Sequence, residues 1–112
     1  MNQLLMFTAI LSGHLTADAT MTIYGENAAL NFTLAVNFNT GKKDGNGNYI
    51  DETIFYQCTK WQKGTDEPKI LEHLKKGKKI IVEANKITAY HNNKDGTDYV
   101  NMSVQVVKIE LC

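Results

Sequence analysis

From Thr53 to Val82 the chain reads TIFYQCTKWQKGTDEPKILEHLKKGKKIIV, and the period of its apolar residues changes twice within that span. Thr53 to Trp61 alternates. Ile54, Tyr56 and Cys58 share one face, and Phe55, Gln57, Thr59 and Trp61 share the other, as a strand requires. Pro68 to Lys76 instead places Ile70, Leu71 and Leu74 at i, i+1 and i+4, one side of a short helix. Thr65 or Asp66 can cap its free N–H groups, Pro68 suits the first turn, Lys75 and Lys76 complement the C-terminal end, and Gly77 supplies the left-handed stop. Strand character returns at Ile80 and runs to Tyr90, with a phase slip over Ala84 to Lys86 that predicts a bulge.

Working outward, Ala28 to Asn37 alternates cleanly, with Leu30, Phe32, Leu34 and Val36 opposed to Asn31, Thr33, Ala35 and Asn37. Leu4 to Leu11 is apolar at nearly every position, so this first strand is expected to be covered on both faces, one of them by another subunit. Beyond the decisive stretch, Asn92 to Gly96 is a polar turn. Tyr99 to Leu111 is a long strand whose phase shifts from Val100, Met102, Val104 and Val106 to Val107, Ile109 and Leu111. Asp18 to Asn27 and Thr40 to Tyr49, the latter rich in Gly, Asn and Lys, read as loops. Three strands, a short helix and two further strands is the order of an OB-fold: an all-β, five-stranded Greek-key barrel with its helix between strands three and four. The expectation is one such domain over residues 1–112.

Composition narrows the function classes. At 43% hydrophobic residues the chain is not disordered, and no apolar run approaches the roughly 18 residues of a membrane span. Met1 to Ser12 lacks the basic start and small-residue cleavage site of a signal peptide. Cys58 and Cys112 do not make a disulfide framework, which places the protein in a reducing cytoplasm. Twelve basic residues balance twelve acidic ones, and every basic one is lysine. Zero net charge taken alone disfavours a nucleic-acid partner.

No cofactor or metal is expected. His14, His73 and His91 are scattered, and neither cysteine has a partner at ligand spacing. Asp44, Asn46 and Asn48 resemble the start of a calcium loop, but Tyr49 stands where glycine is needed and Phe55 where glutamate is needed. Gly45-Asn46-Gly47 is not completed into a phosphate loop and reads as a flexible hairpin tip. An enzyme is not expected: nothing pairs Glu83 with Asp98, and Cys58 falls on the core face as an inert thiol. Asn31-Phe32-Thr33 and Asn101-Met102-Ser103 match the glycosylation pattern but lie inside strands.

What remains is a set of rings outside the core. Phe55 and Trp61 share the outward face of one strand, about 20 Å apart at a rise of ~3.3 Å per residue. Phe38 extends the preceding strand, and Tyr90 or His91 ends the fourth. Lys42, Lys43, Lys60, Lys63, Lys86 and Lys94 interleave with them. Rings for bases and cations for phosphates are what a sequence-tolerant single-strand binder needs; burial at a subunit interface is the competing explanation.

The residues also resemble the bacterial single-stranded DNA-binding protein family, over essentially the whole chain. The similarity is carried by Gly13-His14-Leu15-Thr16-Ala17-Asp18 after an apolar strand, Asn31-Phe32-Thr33-Leu34-Ala35-Val36-Asn37, and Phe55-Tyr56-Gln57-Cys58-Thr59-Lys60-Trp61. Leu74-Lys75-Lys76-Gly77, Val82-Glu83 and Asn93-Lys94-Asp95-Gly96 follow in order. The resemblance implies non-catalytic binding of single-stranded DNA with little sequence preference, in replication, recombination or repair, by a homotetramer or dimer of dimers. It implies base stacking on Phe55 and Trp61. A third stacking position falls on Thr40, which cannot stack, with Phe38 as its substitute; a fourth falls on His91, with Tyr90 adjacent. Ile87 and Ala89 stand where the family often has arginines, and the loop between strands two and three is longer. The chain ends at Glu110-Leu111-Cys112 with no acidic tail, so tail-mediated recruitment of partners is not expected. A primosomal-type OB-fold protein acting through protein partners, or an RNA-binding OB domain, are the alternatives.

Overall fold

The pleat of a strand sends alternate side chains to opposite faces, and in this chain that alternation decides what is inside. The structure, a computed structural model, describes residues 8–94 and 96–112, apart from the side chains at positions 39, 40, 51, 91–94 and 97–100. Among the described residues six strands form: β1 (Ala9–Leu15), β2 (Thr20–Tyr24), β3 (Asn27–Lys43), β4 (Tyr49–Lys63), β5 (Lys79–Lys94) and β6 (Thr97–Leu111). They hydrogen-bond in the order β1-β5-β6-β4-β3-β2, and a second pairing of β1 with β3 closes a five-strand ring that leaves β2 outside. The β4–β6 pairing is parallel and the others are antiparallel.

Inside the ring lie the residues of the core phase: Leu30, Phe32, Leu34 and Val36 from β3, Tyr56 and Cys58 from β4, Ile80, Val82 and Ala84 from β5, and Val104 and Val106 from β6. Closure depends on Gly13, where β1 passes from pairing with β5 to pairing with β3. A Cβ there would stand 2.7 Å from the Ala35 carbonyl oxygen and 3.0 Å from Val36 Cγ2, so any side chain would hold β3 away. The expected phase slips are real bulges. Ala84 pairs with Val106 and Lys86 with Gln105, which leaves Asn85 over on β5; on β6 Val107 is passed over between Val106 and Lys108. Val107 is accordingly 48% exposed, while Ile109 returns to the core.

Four sequence expectations are corrected. The strand count is six, because Thr20–Tyr24, expected as loop, turns at Gly25 (φ 62°) and adds to the edge of β3. The first strand runs Ala9–Leu15; residues 4–7 of the expected strand lie outside the described ones. The segment expected as loop between Thr40 and Tyr49 is mostly an extended hairpin arm, because β3 continues to Lys43 and β4 begins at Tyr49. The Asp44 carboxylate ties its tip, accepting from the backbone N–H groups of Asn46 (2.8 Å) and Asn48 (3.0 Å).

The helix is the fourth: it is a 3-10 turn, Lys69–His73, between β4 and β5. Pro68 precedes it in extended conformation and no side chain caps it. The Leu71 N–H donates to the Pro68 carbonyl and the Leu74 N–H to the Leu71 carbonyl, the three-residue spacing of that geometry. Leu74, fully buried just past the turn, is its anchor in the core.

Candidate nucleic-acid interface

Residues in the other pleat phase form the outer face of β5, β6, β4, β3 and β2. The register joins them in rows across the strands. Lys86, Gln105, Thr59, Asn31 and Thr20 make one row, and Thr88, Ser103, Gln57 and Thr33 the next. Nearly all are hydroxyls and amides, able to donate or accept. Asn31 is fixed in place: the Thr59 hydroxyl donates to its Oδ1 at 3.1 Å, and its Nδ2 donates to the Thr22 hydroxyl at 3.4 Å.

Rings flank this polar strip. At one end Trp61 lies opposite Ala29, and Ala29 lies opposite Thr22 of β2. One row further out, Tyr24 lies opposite Asn27, which pairs in turn with Lys63. The Tyr24 and Trp61 rings approach to 5.3 Å between centroids, tilted by 49°. At the other end Phe55 lies opposite Ala35, and Tyr90 lies opposite Asn101. Tyr24, Phe55, Trp61 and Tyr90 are each between 51% and 56% exposed. A shallow depression of about 240 Å³ between Trp61 and Tyr90 is lined by Thr59, Lys86, Thr88, Ser103 and Gln105 as well.

The expected site residues divide. Phe55, Trp61 and Tyr90 reach this face, and Lys63 and Lys86 stand beside Trp61. Beyond the bulge Ile87 packs on the core, which turns Lys86, Thr88 and Tyr90 outward; the His91 side chain lies outside the described residues, as does that of Lys94. Phe38 is in the phase of Leu34 and Val36, so the pleat separates it from Phe55. It is 41% exposed because β3 carries that phase beyond the ring. Lys60 pairs with Leu30 and shares the inward phase. Lys42 and Lys43 belong to the hairpin arm, where the Lys43 ammonium sits 5.0 Å from the Tyr49 ring centre.

Tyr24 is the ring that the sequence reading missed. Its signal was a run of β-favouring residues, Thr20-Met21-Thr22-Ile23-Tyr24, before the Gly25-Glu26 turn.

Cys58 is buried under this face, and burial pushes its thiol up to about 12, so it stays protonated at neutral pH. Among the described residues no three histidine, cysteine or acidic side chains gather as metal ligands, and no helix is long and apolar enough to cross a membrane. His73 is exposed beside Glu72 at 3.3 Å, away from the rings.

Comparison with known proteins agrees with this geometry. The sequence matches the model of the single-strand binding protein family over residues 6–112. No curated protein matches. Among solved structures, the small single-stranded DNA-binding protein from Streptomyces coelicolor superposes with a TM-score of 0.70 at 14% identity, covering 97% of this chain and 96% of that one. The Plasmodium falciparum SSB, solved in complex with ssDNA, gives 0.71 at 14% identity, covering 100% and 99%. A deletion mutant of the single-stranded DNA binding protein from Thermus aquaticus gives 0.62 at 22% identity, covering 94% of this chain and 49% of that one. At these identities the likeness is one of fold.

Proposed function

The chain belongs to the single-strand binding protein family, and on that premise we propose that it binds single-stranded DNA by stacking bases on the outer face of its sheet. One observation carries the reading: four half-exposed rings, Tyr24, Phe55, Trp61 and Tyr90, flank a polar strip on one open surface. Rings so placed are costly to leave in water and match the flat faces that every unpaired base offers. Lys63 and Lys86 supply cations beside them for phosphates, and the hydroxyls and amides between can meet base edges without requiring one base. Binding is non-catalytic and serves replication, recombination or repair.

Titration with oligo-dT, followed by the emission of Trp61, tests this directly. The expected result is quenching by dT and none by duplex DNA of equal length. Trp61→Ala, followed with a labelled oligonucleotide, removes one stack worth ~1–3 kcal/mol, roughly a fivefold to hundredfold loss of affinity. No binding of dT by the unaltered protein ends the proposal; tighter binding of oligo-U moves it to RNA.

The protein also acts as a homo-oligomer in this reading. Ile10, 69% exposed on the outer side of β1 next to Ile81 and Glu83, supports a subunit contact there. Light scattering at micromolar concentration that returns a monomer mass would remove that part.

A further inference from the structure

We propose that Tyr24 is a positioning residue for Trp61: it braces the indole from the β2 side and so presents the opposite side of the ring to a base. The inference rests on the single-strand reading above and adds a residue to it. The starting point is an inconsistency in the outer face. Ala29 belongs to the outward phase of β3, the phase of Asn31 and Thr33, yet it is 1% exposed. Its direct neighbours across the ladders are Trp61 on one side and Thr22 on the other, and Tyr24 is the next outward residue after Thr22.

Strands β2 and β4 are separated by β3, so their side chains start about 10 Å apart. The two rings nevertheless meet, with centroids 5.3 Å apart. They can do so because the residue between them is alanine: its methyl leaves room above β3, and the rings close over it. The separation and the 49° tilt lie in the range where aromatic pairs attract. Tyr24 belongs to an edge strand that is not part of the closed ring. The role of that strand here is to place this ring.

The geometry also assigns a direction. Tyr24 approaches Trp61 from the β2 side, whereas the depression shared by Trp61, Lys86 and Tyr90 lies on the β6 side. A tryptophan near a strand end loses rotamer freedom when a base packs on it. A neighbouring ring that has already restricted it removes part of that cost, which for one side chain corresponds to roughly a two- to tenfold gain in affinity.

Trp61 is the sole tryptophan, so its motion can be read without labels. Time-resolved anisotropy of the free protein, excited where tyrosine does not absorb, should show a larger nanosecond depolarisation for Tyr24→Ala than for the unaltered chain. Tyr24→Phe, which keeps the ring, should restore it. Oligo-dT affinity should fall roughly two- to tenfold in Tyr24→Ala and recover in Tyr24→Phe. In a Trp61→Ala background, Tyr24→Ala should cost nothing further, because a residue acting through Trp61 has nothing left to position.

Losses that simply add would show that Tyr24 touches DNA by itself and would overturn the proposal, as would unchanged indole motion in Tyr24→Ala. Thermal melts of the variants check that the edge strand remains folded. If the unaltered protein fails to bind dT, the single-strand reading falls, while the anisotropy of the free protein still decides whether the brace exists.

Discussion

Salt separates the two kinds of contact that the outer face offers, because it competes with lysine for phosphate and leaves ring stacking nearly untouched. The structure bounds the lysine share. Lys63 and Lys86 stand on the outer face beside Trp61, Lys42 and Lys43 extend from it on the hairpin arm, and Lys60 has the inward phase. Among the described lysine side chains, these allow between two and four phosphates neutralised per barrel. For single strands log K falls with log salt at about −0.7 per phosphate, so the slope should lie between about −1.4 and −2.8. Raising salt fourfold, from about 50 to 200 mM, should then weaken binding by roughly sevenfold to fiftyfold.

The assay is the anisotropy of a short labelled dT oligonucleotide at several salt concentrations. Lys63→Gln and Lys86→Gln should each flatten the slope by about 0.7. A slope steeper than about −4 requires six or more phosphates, more than the described lysines at or beside this face supply, and would refute the division between rings and charges. A slope that neither substitution alters would put the DNA on another surface.

Two further outcomes follow from the barrel. Gly13→Ala pushes a methyl to within 2.7 Å of the Ala35 carbonyl, so the melting midpoint should fall by roughly 4–15 °C, the equivalent of ~1–3 kcal/mol of overpacking; an unchanged melt would mean that β1 and β3 separate without cost. Cys58, with its pKa pushed up by burial from 9.0 to about 12, favours the folded state fully below pH 9, and that contribution is lost as pH rises from about 9 toward 12 because the unfolded thiol ionises first. Urea unfolding at high pH should show this loss in the unaltered protein and less of it in Cys58→Ala, and a thiol reagent at pH 8 should modify exposed Cys112 quickly and Cys58 only on unfolding.

How far the residues revealed this arrangement depended on whether the deciding interaction was local. Leu30, Phe32, Leu34 and Val36, with Ile54, Tyr56 and Cys58, alternate under a constraint that acts along one strand, and each falls where the alternation puts it. Phe55 and Trp61 are outward for the same reason, and the bulge near Ala84 is legible because inserting one residue shifts a run of apolar positions. Lys60 was misplaced among the cations beside the rings, although it stands two residues after Cys58 and the same count gives it the inward phase. Strand β2 escaped because its alternation, Met21 and Ile23 against Thr20 and Thr22, spans only five residues, most of them exposed, and Tyr24 escaped with it. Ile70, Leu71 and Leu74 are too few to separate a 3-10 turn from an α-helix. The need for glycine at position 13 arises from a crossing with β3 more than twenty residues away, which no local pattern records.

Part of the charge balance lies away from the rings, and it bears on affinity. At the barrel end near the 3-10 turn, Lys75 lies 3.9 Å from Asp18, whose carboxylate also accepts the Lys76 backbone N–H, and at the far end of β6 Lys108 pairs with Glu110 at 3.1 Å. Exposed pairs of this kind are worth little to stability, but they offset lysines that lie away from the rings. The cations beside Trp61 therefore need not be accompanied by a basic excess over the whole chain. Without arginine the surface has no guanidinium planes to stack or clamp phosphates in two-point fashion. On the proposed reading, the share of affinity that survives at high salt then comes from Phe55, Trp61 and Tyr90, with Tyr24 acting through Trp61. Removing Trp61 should cost the same factor at high salt as at low, whereas removing Lys86 should matter only at low salt. If the Trp61 loss instead shrank with salt, the indole would be acting by placing a cation and not by stacking.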